Sequence, residues 1–280
     1  MRYRHLVVRS LCVLVTMLAP HTSEAQRSLS PTTPSGQSVT PVFEGWYRNK
    51  DGTYSLSFGY YNRNTSERMD IAVGYENFVT PGSPNQGQPS HFAAKRHWGV
   101  FAVTVPANFG DKQVVWTLKN RGQTFAIPGH LKPDWQIDAL EGEASADNTP
   151  PTLTFSAGGA EGRGPFGVTS GPLTATVGKP ITVTVMVTDD AKTGSTGAGG
   201  VRVPTPVDLT WFKHQGPGDV TFGTPTNRLA ATGGTGSTTA TFTRAGDYLL
   251  RVRANDSAVA SAGHSQCCWT NGFIKVTVTP

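Results

Sequence analysis

Apolar and polar residues alternate at period two in several short runs of the second half of the chain. Residues 181–187 (ITVTVMV), 207–212 (VDLTWF), 238–243 (TTATFT), 248–254 (YLLRVRA) and 273–279 (FIKVTVT) all carry the pattern. Successive side chains of a strand point to opposite faces, so one set meets a core and the other meets water. Glycine and proline punctuate the runs. The pattern predicts a β-sandwich, an architecture that hosts many unrelated functions.

The first half reads the same way, less regularly. Residues 42–48 and 53–62 form two strands joined by Asn49, Lys50, Asp51 and Gly52, a short turn containing glycine. Tyr54, Leu56, Phe58 and Tyr60 share one face of the second strand. Further strands are expected at 69–73, 99–105, 113–120 and 123–127, with Arg121 and Gly122 making a hairpin of the last two. Residues 80–90 (TPGSPNQGQPS) are too rich in proline and glycine for regular structure. A turn of helix is expected near residues 135–140. Residues 134–147 hold five acids and no base, and Asn148, Thr149, Pro150 and Pro151 follow. Adjacent prolines favour an extended connector, which places a domain boundary there. The fold class expected is all-β, with two β-sandwich-like domains in tandem over residues 41–143 and 152–280 and a linker at 144–151.

The N-terminus reads as a secretory signal. Arg2, Arg4 and Arg9 precede a short apolar run at residues 11–19 (LCVLVTMLA), and Ser23 and Ala25 offer the small residues of a cleavage site. Residues 1–25 are therefore read as a signal peptide and residues 26–40, rich in serine, threonine and proline, as a flexible leader. Cleavage would lower the formal net charge from +5 to about +3. So small an excess gives no reason to expect nucleic acid as a partner. No later run suits membrane insertion. Export places the protein in the periplasm or outside the cell. Of three cysteines, Cys12 leaves with the signal, so the adjacent Cys267 and Cys268 remain.

Three stretches carry a resemblance. Residues 176–190, from Thr176 through Gly178, Lys179 and Pro180 to Asp190, resemble the opening strands of PKD-like and related immunoglobulin-like bacterial domains. Residues 211–222, beginning at Trp211, resemble their central strand and turn, and residues 239–256 resemble the hairpin before the closing strand. The resemblance covers about half of the exported chain. It implies extracellular spacing, adhesion or support of a neighbouring domain, and not catalysis. Trp211 then fills the core, and Tyr248, just after Gly246 and Asp247, fits a tyrosine corner whose hydroxyl bonds back to the chain. The inter-sheet disulfide of antibody domains is missing, and Leu250 must supply apolar packing instead.

In such a sandwich the loop after the second strand and the loop before the last emerge at one end. Both are long here, at residues 189–206 and 255–272, and long loops are often functional. Asp189, Asp190, Asn255 and Asp256 stand at their roots. Hard oxygen ligands from two loops suit calcium, although only three are carboxylates, and Asp and Asn also simply begin turns. Cys267 and Cys268 can close a ring with each other, bridge two molecules or stay reduced. With His264 they also suggest a copper or zinc site that lacks a fourth ligand. Trp269 and His264, with His97 and Trp98 from the cluster His91, Lys95, Arg96, His97 and Trp98, make up the candidate binding surface. That cluster reads either as an anion site or as a solvated basic loop.

No motif of an α/β-hydrolase nucleophile, zinc protease, P-loop or dinucleotide fold occurs. Glu44, Asp70 and Glu76 offer carboxylates that nothing in the sequence brings together. The expected function is recognition or adhesion at the cell envelope, without catalysis, toward an envelope protein or polysaccharide. The alternatives are a polymer-directed hydrolase with its site in the first domain, and a structural spacer. No cofactor is expected beyond the possible calcium.

Overall fold

A computed structural model describes residues 33–137, 148–192, 204–256 and 268–280. All of them fall in one compact unit, Thr32–Pro280. Regular structure among them is β throughout, apart from a single 3-10 turn at Pro133–Trp135. It ends at Trp135, where the expected helical turn of residues 135–140 begins, and residues 138–140 lie outside the described residues.

The first half contributes β1 (Val39–Arg48), β2 (Tyr54–Asn62), β3 (Met69–Asp70), β4 (Asn77–Thr80), β5 (His91–Phe92), β6 (Lys95–Val105), β7 (Val114–Asn120) and β8 (Gln123–Gly129). One sheet runs β1-β2-β6, a second runs β4-β7-β8, and β3 pairs with β5. Arg121 and Gly122 close the β7–β8 hairpin with φ of 53° and 71°. Positive φ at both central residues matches the right-handed twist of the flanking strands. The inward side chains form an aromatic core. Phe58 lies over Phe101 at 5.4 Å, and Trp116 meets Phe101 edge-on at 5.0 Å. The indole N–H of the buried Trp116 donates to Asn77 Oδ1 at 3.0 Å, which satisfies the polar edge of the ring. The strand β1 begins at Val39, and the residues before it are tied down. Gly36 N–H donates to Glu67 Oε2 and Gln37 N–H to Asn64 Oδ1, each at 2.7 Å. The expected flexible leader therefore does not extend to residue 40, because Glu67 and Asn64 supply acceptors for its backbone.

The second half contributes β9 (Thr152–Thr154), β10 (Glu161–Gly162), β11 (Val168–Thr176), β12 (Ile181–Thr188), β13 (Asp208–Gln215), β14 (Val220–Phe222), β15 (Thr226–Arg228), β16 (Gly233–Phe242), β17 (Gly246–Asn255) and β18 (Trp269–Thr279). The two sheets run β10-β9-β12-β16-β14 and β11-β18-β17-β13-β15. The opening segment is shared between them: β9 pairs with β12 in one sheet, and β11 runs parallel to β18 in the other. This is an immunoglobulin-like sandwich, and the alternation seen in the sequence produces it. Val183, Val185 and Val187 of β12 face Leu250, Val252 and Ala254 of β17, and all six are at most 3% exposed. Each valine and Leu250 contributes about 1.5–3 kcal/mol by leaving water, and Ala254 about 1. Trp211 fills the centre and donates to Asn227 Oδ1 at 2.8 Å. Tyr248 O–H donates to Arg244 O at 2.8 Å, which completes the tyrosine corner.

Residues 148–151 are not an exposed connector. Asn148, Pro150 and Pro151 are buried, and Thr270 Oγ1 donates to Pro151 O at 2.5 Å. The segment is fastened to the second sandwich through that bond to Thr270 of β18.

Candidate functional site

The outer face of the sheet formed by β13, β17 and β18 is where the two sandwiches meet. Alternation puts Leu250, Val252 and Ala254 inside, so Arg251 and Arg253 of β17 point outward beside Phe212 of β13. In an isolated sandwich that face meets water. Here residues of the first sandwich cover it. Lys213 Nζ bonds Asp70 Oδ1 at 3.0 Å. His214 Nε2 lies 2.7 Å from Gly87 O, and His214 O accepts from Ser90 N–H at 2.8 Å. Gln215 Nε2 donates to Gln88 O at 2.5 Å. These bonds use the proline-rich loop of residues 80–90, which is irregular as expected but held by its own glutamines. Gln86 Nε2 donates to Pro81 O at 2.7 Å and Gln88 Nε2 to Pro84 O at 2.6 Å.

Farther along the same seam, Asn271 Nδ2 donates to Gly99 O at 2.7 Å and to Pro165 O at 2.8 Å. The ring of Trp269 lies so close to Gly99 that a Cβ there would sit 2.6 Å from it. Gly99 also has φ of +45°, so glycine is required twice over.

A cleft of about 420 Å³ opens between the sandwiches, and Arg68, His91, Phe212, Lys213, Phe222 and Arg251 line it. Arg251 is the unusual member, at 3% exposed. Its Nη1 donates to Asn271 Oδ1 at 3.1 Å, and its guanidinium stacks 4.4 Å from the Phe212 ring centroid. Its Nε has no hydrogen-bond partner. No carboxylate among the described residues forms an ion pair with it. Burial pushes its pKa down to about 9, so it remains charged at neutral pH. Burial and that charge push His97 and His214 each down to about 3, which leaves both rings neutral. Burial alone would raise Asp70. Hydrogen bonds from His91 and Lys213, and their charges, prevail and lower it to about 2. The cleft thus presents fixed cations against apolar and aromatic walls.

The sequence-predicted residues distribute as follows. His97 is in the seam, stacked on Tyr60 at 4.8 Å with its Nε2 3.1 Å from Ala94 O. Trp98 is half-buried under the Arg96 guanidinium at 5.1 Å. Trp269 is not part of a binding surface: it is 1% exposed, because the first sandwich packs against it. His264 and Cys267 lie outside the described residues. Cys268 is disulfide-bonded and buried, and its Sγ is 3.6 Å from Asn148 O. Glu44 and Asp70 are engaged separately, Glu44 with Arg96 at 2.6 Å and Asp70 with His91 at 2.9 Å.

Of the four loop-root residues, Asp189 and Asp256 come together and the other two do not. Both follow the inward parity of their strands, after Val187 and Ala254, and so point into the end of the sandwich. Asp256 is 1% exposed. Burial, then the charge of Asp189, raises it to about 8. Burial likewise raises Asp189, whose Oδ2 accepts from Ala191 N–H at 2.9 Å. Asp190 turns away and accepts from Thr149 Oγ1 at 2.9 Å. Asn255 sits in the ladder between Asp208 and Trp269. Asn148, which sequence reasoning did not single out, stands beside Asp256 and is 1% exposed.

No protein-family model and no curated protein matches the chain. Among solved structures it aligns with a titin fragment (A168–A169) at 10% identity and TM-score 0.24, over 86% of this chain and 99% of that one. It aligns with the D00–D0 domains of intimin at 11% identity and TM-score 0.27, over 86% and 100%. Domains 4 and 5 of the S-layer protein SbsC align at 13% identity and TM-score 0.24, over 87% and 98%. Scores this low carry no argument about function. The immunoglobulin-like description rests on the strand order itself.

Proposed function

We propose that the chain is an exported, non-catalytic recognition protein of the cell envelope, that the cleft between its sandwiches is the working surface, and that its ligand is an acidic polysaccharide. One observation carries the reading. Arg251 is a buried cation without a carboxylate partner among the described residues, and it lines an open cleft. Burying an uncompensated charge costs several kcal/mol. A ligand carboxylate or sulfate seated in the cleft would offset part of that cost by its opposite charge. Phe212 and Phe222 supply flat apolar surface for the face of a sugar ring. Arg68 adds positive charge along the same opening, where Lys213 is already paired with Asp70. Export follows from the basic and apolar character of residues 1–25, which lie outside the described residues.

The test is titration calorimetry of the purified protein against polygalacturonate and against a neutral glucan, with reducing ends assayed in the same samples. Binding to the acidic polymer alone, weakening as salt rises, with no new reducing ends, is the expected result. Equal binding to the neutral glucan, no binding to either, or chain cleavage would each overturn the proposal.

A further inference from the structure

We infer that the loop end of the second sandwich is a calcium site with Asp189 and Asp256 as its carboxylate ligands. The site shares no residue with the cleft and does not depend on the function proposed for it.

The strand β12 carries its inward side chains at Val183, Val185 and Val187, and the next inward position is Asp189. The strand β17 carries Leu250, Val252 and Ala254 inward, and the next is Asp256. Two acids thus close the end of an apolar core from opposite sheets. Asp256 lies against Asp189 and the Asn148 amide, yet neither of its oxygens, nor Asp189 Oδ1, meets a donor in good hydrogen-bond geometry, and all three are buried. A buried carboxylate in that condition is expensive unless a proton or a cation accompanies it. The charge of Arg163 acts on Asp189, and its Nε is committed to Thr152 Oγ1 at 2.6 Å.

The donor chemistry selects the cation. The described side chains at this end offer oxygen: two carboxylates, with the Asn148 amide beside them. Oxygen-only donors suit calcium or magnesium and not copper or zinc. Calcium tolerates irregular geometry and the bidentate carboxylate that Asp256 offers, whereas magnesium demands near-ideal octahedra. The inferred set is Asp256 through both oxygens, Asp189 through Oδ1, the Asn148 amide oxygen, and water. Asp190 is excluded by its bonds to Thr149.

The experiment is equilibrium dialysis of the metal-stripped protein against radioactive calcium near neutral pH, with thermal melts in calcium, in magnesium and in EDTA. One calcium per chain is expected. So is a Tm rise of about 5–10 °C at free calcium a hundredfold above Kd, with magnesium at least about tenfold weaker. Asp256→Asn and Asp189→Asn should abolish retention, and Asp190→Asn should keep it. If the Asn variants fail to fold, the stoichiometry of the unaltered protein still decides. No retained calcium, together with a Tm indifferent to calcium and EDTA, would overturn the inference and leave the two acids holding a proton between them. Retention that survives both Asn variants would overturn it as well.

Discussion

Replacing Arg251 by methionine should leave the fold about as stable while abolishing binding in the cleft. Burial lowers the Arg251 pKa from 12.5 to about 9. At about 1.36 kcal/mol for each tenfold change in protonation, the charged form carries a penalty of about 5 kcal/mol in the folded protein. Because the folded pKa lies below the unfolded one, the unfolded chain binds more protons between those values. The penalty is therefore complete below about pH 9 and is relieved only as pH rises through that window. Against it stand the bond to Asn271 at 3.1 Å and the stacking on Phe212 at 4.4 Å. Each contributes about 2 kcal/mol in a desolvated site. Methionine removes the penalty and both contacts, its flexible thioether fills much the same volume, and the buried Asn271 Oδ1 loses its donor at a cost of about 1 kcal/mol. The opposing terms nearly cancel, so Tm should stay within about 2–4 °C of the unaltered protein. Differential scanning calorimetry at neutral pH measures it. A Tm lowered by several degrees would refute the reasoning, because it would show that Arg251 serves the fold and not a ligand.

Three further outcomes are expected. Gly99→Ala places a methyl group 2.6 Å from the Trp269 ring at φ of +45°, and it should cost about 2–4 kcal/mol, read as a lower Tm. Tyr248→Phe removes the hydroxyl that bonds Arg244 O at 2.8 Å, and a denaturant titration should show a loss of about 1 kcal/mol with the m-value unchanged. Asp70 is lowered to about 2, so its contribution to stability is complete above its unfolded value near 3.8 and is lost as pH falls toward 2; Asp70→Asn should flatten that part of an acid titration, and an unaltered slope would show that the Lys213 and His91 contacts contribute nothing.

The second sandwich was legible because its two sheets bury one face and wet the other. Thus β12, β13, β17 and β18 emerge from alternation alone, and Tyr248 from the turn before it. Strands of two or three residues, such as β5, β10 and β14, are too short to show a period, and the strand expected at 69–73 forms only over Met69–Asp70. The strand β11 hides behind Gly171 and Pro172, and its pairing with β18 shifts register between Ser170 and Leu173. The cleft was not legible at all. Alternation assigns Arg251 and Arg253 to water, and only the first sandwich, distant in sequence, covers them. The loop at residues 80–90 likewise reads as irregular and gives no hint that Gly87 and Gln88 receive His214 and Gln215. At the loop end, Asp189 and Asp256 were found from their place at the strand ends. Asn148 was missed because a residue beside two prolines reads as connector.

The most direct measurement is a crystal structure of the protein soaked with a short oligogalacturonate. Density is expected in the cleft, with a carboxylate facing the Arg251 guanidinium and a sugar face against Phe212. An empty cleft in crystals that bind the ligand elsewhere, or a ligand seated with its carboxylates in solvent, would contradict it.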